Sequence, residues 1–132
     1  KYFSEIKKFI FKNNLGKNYK ILGLVNYNEL VSLMYYSSAV INPSKFEGWG
    51  NSASMALSIG KPVIVSNIKV HRELKGKSIH YFNPNNPIQL SKILKYLSKR
   101  KNKKNDFNKI IKKNDSKTQE YIKSFIKILN ES

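Results

Sequence analysis

Cysteine is absent from this sequence, which excludes a disulfide, a thiolate nucleophile and any metal site built on Cys. Arginine is nearly absent: Arg72 and Arg100 are the only two among 25 basic residues, the rest being lysine. Readers of nucleic acid rely on the arginine fork for bidentate contacts to bases and phosphates, so specific nucleic-acid recognition is not expected. Acidic residues are also scarce, 8 in all, and the net charge is +17. Such a charge suits an anionic partner, and peripheral contact with an anionic membrane is one expectation. The bland explanation is an A/T-rich coding sequence, which favours Lys, Asn and Ile without any partner. Long apolar runs are missing too; none approaches the roughly 18–20 residues of a membrane span. The opening KYFSEIKKFIF carries Glu5 and no cleavage motif, so it does not read as a signal peptide. It has no initiator Met and begins inside an amphipathic pattern, as a fragment or excised domain would. The expected location is cytoplasmic, with contact at the inner membrane face.

What is present fits one domain or part of one: 132 residues, 40% of them hydrophobic. Tyr2–Asn14 reads as a helix with Phe3, Ile6 and Ile10 on one stripe, capped at Leu15-Gly16. Tyr19–Val25 reads as a buried strand. Asn26 or Asn28 is placed to cap a helix over Glu29–Ser37 that buries Leu30, Leu33 and Met34. Ala39–Asn42 is a short strand, Pro43–Gly50 a loop, Ser52–Ile59 a helix ended by Gly60-Lys61-Pro62, and Val63–Val65 a further strand. A loop with a helical turn at Val70–Leu74 leads to a strand at Ser78–Phe82. After the turn NPNNP, Pro87 opens a helix with Leu90, Ile93, Leu94 and Leu97 inside. The Lys- and Asn-dense run Lys99–Lys117 reads as a solvated face or linker, followed by a helix over about Lys117–Asn130.

Strands alternating with helices predict an α/β fold with a parallel sheet. Four strands are counted, whereas an open doubly wound sheet usually has five or six, so one or two early strands are missing. The expected organisation is a partial Rossmann-like domain over residues 1–98 and a Lys-rich connection with a C-terminal helix over 99–132.

Ligands of such sheets bind beyond the carboxyl ends of the strands. The loop after Asn42 therefore carries the chemistry. Gly48 and Gly50 let the backbone approach a ligand closely. The amides of Gly50, Asn51, Ser52 and Ala53, at the start of a helix, suit a phosphate. Glu47 repels phosphate but accepts from hydroxyls. Together they suit a sugar joined to a phosphate. The same residues also fit a plain turn in which Glu47 caps or solvates the loop. Trp49 fits either stacking on a sugar or packing under the loop. His71 fits a loop-surface or capping role better than a ligand role, His80 a structural place within a strand, and Tyr35-Tyr36 packing on a helix surface.

The run NPSKFEGWGNSASMALSIGKPVIVSN resembles the signature of GT-B glycosyltransferases of the family 4 type: an E-G-x-G loop, an E-A pair, then G-x-P-V/I. Its flanks agree, with KILGLVNYNELVSLMYYSSAVINPS before it and SNIKVHRELKGKSIHYFNPNNPIQLSKIL after it, so the likeness covers about Tyr2–Leu97. The resemblance implies the second half of a GT-B C-terminal domain, which binds a nucleotide-sugar donor. It implies that Glu47 contacts donor-sugar hydroxyls. It implies that Gly48, Trp49, Gly50, Asn51 and Ser52 meet the sugar and diphosphate, and that Leu24 and Val25 lie beside the base. The family's second glutamate, which holds the ribose, is replaced by Met55, which cannot accept those hydrogen bonds; a lost charged acceptor typically costs about 1.5–3 kcal/mol. No metal and no cofactor is implied, the nucleotide-sugar being a substrate. A sugar or glycolipid acceptor would bind a preceding domain. The glycine-rich first loop and the cationic side chains that neutralise the leaving group would also precede Lys1, so no catalytic residue is expected in this stretch and it is not expected to transfer sugar alone. The alternatives are a non-catalytic binding or scaffold module of the same fold, and a basic nucleic-acid-binding α/β domain.

Overall fold

The computed structural model describes residues 2–99 and 107–130. The chain divides into two compact units, Lys1–Leu30 and Val31–Ser132.

The first unit is built on α1 (Tyr2–Lys12). Lysines help propagate this helix, and it stops at Asn14, the one non-glycine residue with positive φ (54°) among those described. There the Leu15 amide donates to the Ile10 carbonyl at 2.9 Å and the Asn14 amide to the Phe11 carbonyl at 3.1 Å. This is a Schellman ending with Asn in the left-handed place, so the cap lies earlier than Leu15-Gly16. Tyr19–Val25 forms no ladder, which corrects the expectation of a strand. Ile21, Leu22 and Leu24 are exposed. An apolar β-prone run becomes a strand only beside a partner that satisfies its amides and carbonyls. At the end of the unit, Asn26 rather than Asn28 caps the next helix: its Oδ1 accepts from the Glu29 amide at 2.9 Å, and Glu29 Oε2 accepts from the Asn26 amide at 3.2 Å. That reciprocal pair is a capping box.

The helix it starts is α2 (Tyr27–Tyr36). In the second unit this helix buries Met34, while Leu33 stays largely exposed. Tyr35 and Tyr36 meet edge to face at 5.2 Å. Three strands follow: β1 (Val40–Asn42), β2 (Val63–Ser66) and β3 (Ile79–Phe82), all parallel and in the order β1-β2-β3. Val40 pairs with Val63, and Val63 with Ile79. Every residue of β2 is fully buried, as a central strand covered on both faces requires. Its β-branched side chains suit the pleat.

Between β1 and β2 runs α3 (Asn51–Ser58), whose Ala53 and Ala56 pack on Val63 and Val65. Small residues on that face let helix and sheet approach. The helix ends at Gly60 (φ 74°), with the Lys61 amide donating to Ala56 and the Gly60 amide to Leu57, a second Schellman ending. The turn α4 (Lys69–Arg72) leads to β3, and α5 (Pro87–Ser98) follows, with Pro at its start and Asn86 Oδ1 accepting from the Gln89 amide at 3.0 Å. Leu90, Ile93 and Leu97 are half-buried, Leu94 more exposed. The last helix, α6 (Phe107–Asn130), begins well before Lys117. Phe107, Ile110 and Ile111 extend the apolar spacing upstream, and lysine is a good helix former. The expected linker character of residues 100–106 lies outside the described residues. The arrangement is a partial Rossmann-like α/β sheet with flanking helices.

Gly50 adopts φ 62° and ψ 37° at the N-cap of α3, and an added Cβ there would lie 3.4 Å from His71 Cδ2. Gly50→Ala should therefore lower stability by about 1–2 kcal/mol through the left-handed backbone alone, read as a lower urea midpoint at unchanged slope. An unshifted midpoint would show that the loop relaxes to a right-handed turn.

Candidate functional site

Asn42 closes β1 and is almost fully buried. Its Nδ2 donates to Glu47 Oε1 at 2.9 Å and to Ser52 Oγ at 3.1 Å, and its Oδ1 accepts from the Ser44 amide at 3.2 Å. Ser44 Oγ also donates to Glu47 Oε1, at 2.7 Å. One side chain at the carboxyl end of a strand thus ties down the start of the loop, its carboxylate and the first turn of α3. Sequence reading treats Asn42 only as the end of a strand; the signal for more is an amide that the strand pattern places at the edge where loops converge.

Glu47 is half-buried, with both recorded bonds on Oε1. Its Oε2 has no hydrogen-bond partner among the described residues and is free to accept from a hydroxyl. The Ser44 hydroxyl and then the Asn42 amide hold the Glu47 carboxyl below the usual carboxylate range, outweighing partial withdrawal from water. The group stays an ionised acceptor at neutral pH.

At the loop's far end, Ala53 and Ser54 amides bond the Gly50 carbonyl. The amides of Asn51 and Ser52 have no acceptor among the described residues, as expected in the first turn of a helix. Gly48 is open on all sides, and Asn51 is exposed. The sequence-predicted residues Glu47, Gly50 and Ser52 therefore gather around Asn42 and the start of α3. Met55 is half-buried on the next turn of α3. Trp49 does not pack under the loop: it is 85% exposed. Leu24, fully exposed, and Val25, half-buried, belong to the first compact unit and are described there.

His71 corrects the expectation of a loop-surface role, for it is wholly buried. Its Nδ1 donates to the Ser66 carbonyl at 2.8 Å and lies 3.1 Å from Ser66 Oγ, which in turn donates to the Ser44 carbonyl. Tyr81 Oη donates to the His71 carbonyl at 3.0 Å. Nε2 is buried without a partner among the described residues. The ring supports Gly50 from below and, through Ser66 and Ser44, is continuous with the Glu47 network. Its alternating polar neighbours in sequence suggest a surface; only the crossover that folds α4 back over β2 buries it. His80 stands in β3 with its ring edge-on to Tyr96 at 6.3 Å.

Among the described residues no group of three or more His, Asp or Glu side chains is placed to hold a metal ion, and no helix is long and apolar enough to cross a membrane. The site's resources are one oriented carboxylate, unpaired amides at a helix start, hydroxyls, and an exposed indole.

Comparison with known proteins gives the same direction. The family model described as glycosyl transferases group 1 matches residues 1–114. A curated relative, an uncharacterized glycosyltransferase of Methanocaldococcus jannaschii, is 34% identical over 68 residues. That match covers 52% of this chain and 19% of the relative, so it spans about a fifth of the relative's length. No solved structure matches. With the family model covering most of its length, and with the E-G-x-G loop seated at the carboxyl edge of a parallel sheet, the chain belongs to the group 1 glycosyltransferase family.

Proposed function

We propose that the 42–52 loop grips the sugar and diphosphate of a nucleotide-sugar, as the donor-binding part of a longer glycosyltransferase. The divided role of Glu47 carries this reading: Oε1 is locked by Ser44 and Asn42, and Oε2 is left without a partner among the described residues, in the loop that leads into the unpaired amides of α3. A carboxylate fixed in this way orients a sugar by its hydroxyls, and helix-start amides stabilise charge that develops on a departing diphosphate. Gly48, Trp49, Gly50, Asn51 and Ser52 supply the backbone around the sugar and phosphates. The acceptor, a sugar or glycolipid, would bind a preceding domain of the longer protein. The reading invokes no metal or other cofactor, the helix-start amides of α3 facing the diphosphate charge. A net charge of +17 supports peripheral contact with an anionic membrane at the cytoplasmic face.

Met55 favours a second reading. A thioether is only a weak acceptor for ribose hydroxyls, which suits a module that binds a sugar or a partner without turnover. Calorimetry with UDP-, GDP- and ADP-sugars on the longer protein tests both. Binding of one donor is expected, weakened about tenfold by Glu47→Gln, since a charged acceptor outweighs a neutral one by that order. Absence of binding by every donor contradicts the proposal, and binding without transfer selects the second reading. Met55→Glu should tighten the same donor about tenfold or more; unchanged affinity would place the ribose away from this turn of α3.

Acid should loosen the loop in a defined way. The folded state holds the Glu47 proton less tightly than the unfolded chain, so in acid the unfolded state binds more protons. The stabilisation is complete above the ordinary carboxylate pKa and is lost as pH falls through the lowered folded value. The urea midpoints of the protein and of Glu47→Gln should therefore differ at pH 7 and converge in acid; a gap independent of pH would remove the ionised carboxylate from the loop's support.

A further inference from the structure

No residue of α1 is buried. Tyr2, Phe3, Ile6 and Phe9 recur at the spacing of one helical face, and all four are more than half exposed. So contiguous an apolar face in water is not explained by the packing of its own unit. Lysines edge it on both sides: Lys7 is the helical neighbour of Phe3, and Lys12 that of Phe9. The Lys7 ammonium stands over the Phe3 ring, 4.6 Å from its centre. Alongside lies a cleft of about 670 Å³, with apolar lining from Ile10, Phe11, Tyr19 and Ile21 and cations from Lys7 and Lys17. Residues 1–30 hold six lysines against Glu5 and Glu29.

We propose that α1 docks this protein on an anionic phospholipid membrane, with Tyr2, Phe3, Ile6 and Phe9 sunk into the boundary between headgroups and acyl chains and Lys7, Lys12 and Lys17 on lipid phosphates. The chemistry of the face selects this occupant. α1 has 11 residues, about 16 Å, a length that lies along a membrane surface and does not cross it. Amphipathic helices with Phe on one face and Lys beside it bind in the interface in this way. Aromatic rings suit a boundary that is apolar on one side and wet on the other. Lysine stems run over apolar surface while their ammonium groups reach the phosphate layer. A protein partner fits less well, because lysine is depleted from the core of protein interfaces and edges this face on both sides. The cleft suits the same occupant, since an apolar trough with two ammonium groups accepts part of an acyl chain and its phosphate. Docking through α1 rests on the membrane contact read from the net charge and not on the donor reading, because no residue of the 42–52 loop takes part.

Co-sedimentation of the longer protein with vesicles tests this, using phosphatidylcholine alone and an equal mixture of phosphatidylcholine and phosphatidylglycerol. Binding to the mixture and not to phosphatidylcholine alone is expected, and it should weaken as salt rises. Phe9→Asp and Ile6→Asp should each weaken it about tenfold or more, since each withdraws an apolar side chain from the boundary. Lys12→Gln and Lys17→Gln should each weaken it about fivefold. The urea midpoints of the four variants should match that of the unaltered protein, because all four side chains are exposed. A Phe9→Asp variant that unfolds at lower urea yet keeps its vesicle binding places the face inside the longer protein and overturns the docking. Vesicle binding that none of the four variants changes overturns the role of α1 and keeps the membrane contact. Absence of binding to the mixture overturns both. Donor binding by calorimetry is independent of these outcomes, so its loss removes the donor reading alone.

Discussion

The loop that follows β1 depends on one buried amide. Asn42 spends three of its four hydrogen-bonding positions on Glu47, Ser52 and the Ser44 backbone. A buried amide left unsatisfied typically costs about 1–3 kcal/mol, so the loop is held in the conformation that satisfies it. The consequence is functional: the same bonds that fold the loop fix the direction of Glu47 and leave its second oxygen outward. Folding and preorganisation of the carboxylate are one set of interactions.

That amide is held in turn by the sheet. β1 is only three residues long, and its register against β2 sets Asn42 opposite Val65. One residue further along β2, Ser66 reaches the Ser44 carbonyl and meets His71. His71 lies against Gly50, whose positive φ favours glycine, with the ring at ordinary contact distance from where a Cβ would sit. The loop is thus pinned near both ends, at Asn42–Ser44 and at Gly50, and Gly48 and Trp49 between them are exposed. A rigid rim with an exposed centre is the arrangement expected where a ligand rather than the chain supplies the last contacts.

Much of this was legible in the sequence because it is local. Val63–Val65 is β-branched and follows Pro62; Gly60 marks the end of α3; Pro87 marks the start of α5. Each signal acts within a few residues, and each element forms where it points. The loop glycines and Glu47 were legible for the same reason. What escaped was whatever depends on a neighbour distant in sequence. Tyr19–Val25 has the composition of a strand and forms no ladder. His71 sits among charged residues and is buried. The roles of Asn42 and Ser66 come from bonds that span a crossover. The early start of α6 is a different case, since its apolar spacing is present upstream but is masked by the density of lysine and asparagine.

In the proposed complex a sugar hydroxyl docks on the free oxygen of Glu47 while phosphate faces the first amides of α3. The most direct measurement is amide NMR of the isotope-labelled longer protein during titration with the nucleotide-sugar that it binds. The backbone signals of Asn51 and Ser52 should move furthest, together with the Glu47 side-chain carboxyl carbon, and the free nucleotide should move the amides but not the carboxyl carbon. Donor binding that leaves Glu47, Asn51 and Ser52 unmoved would contradict it.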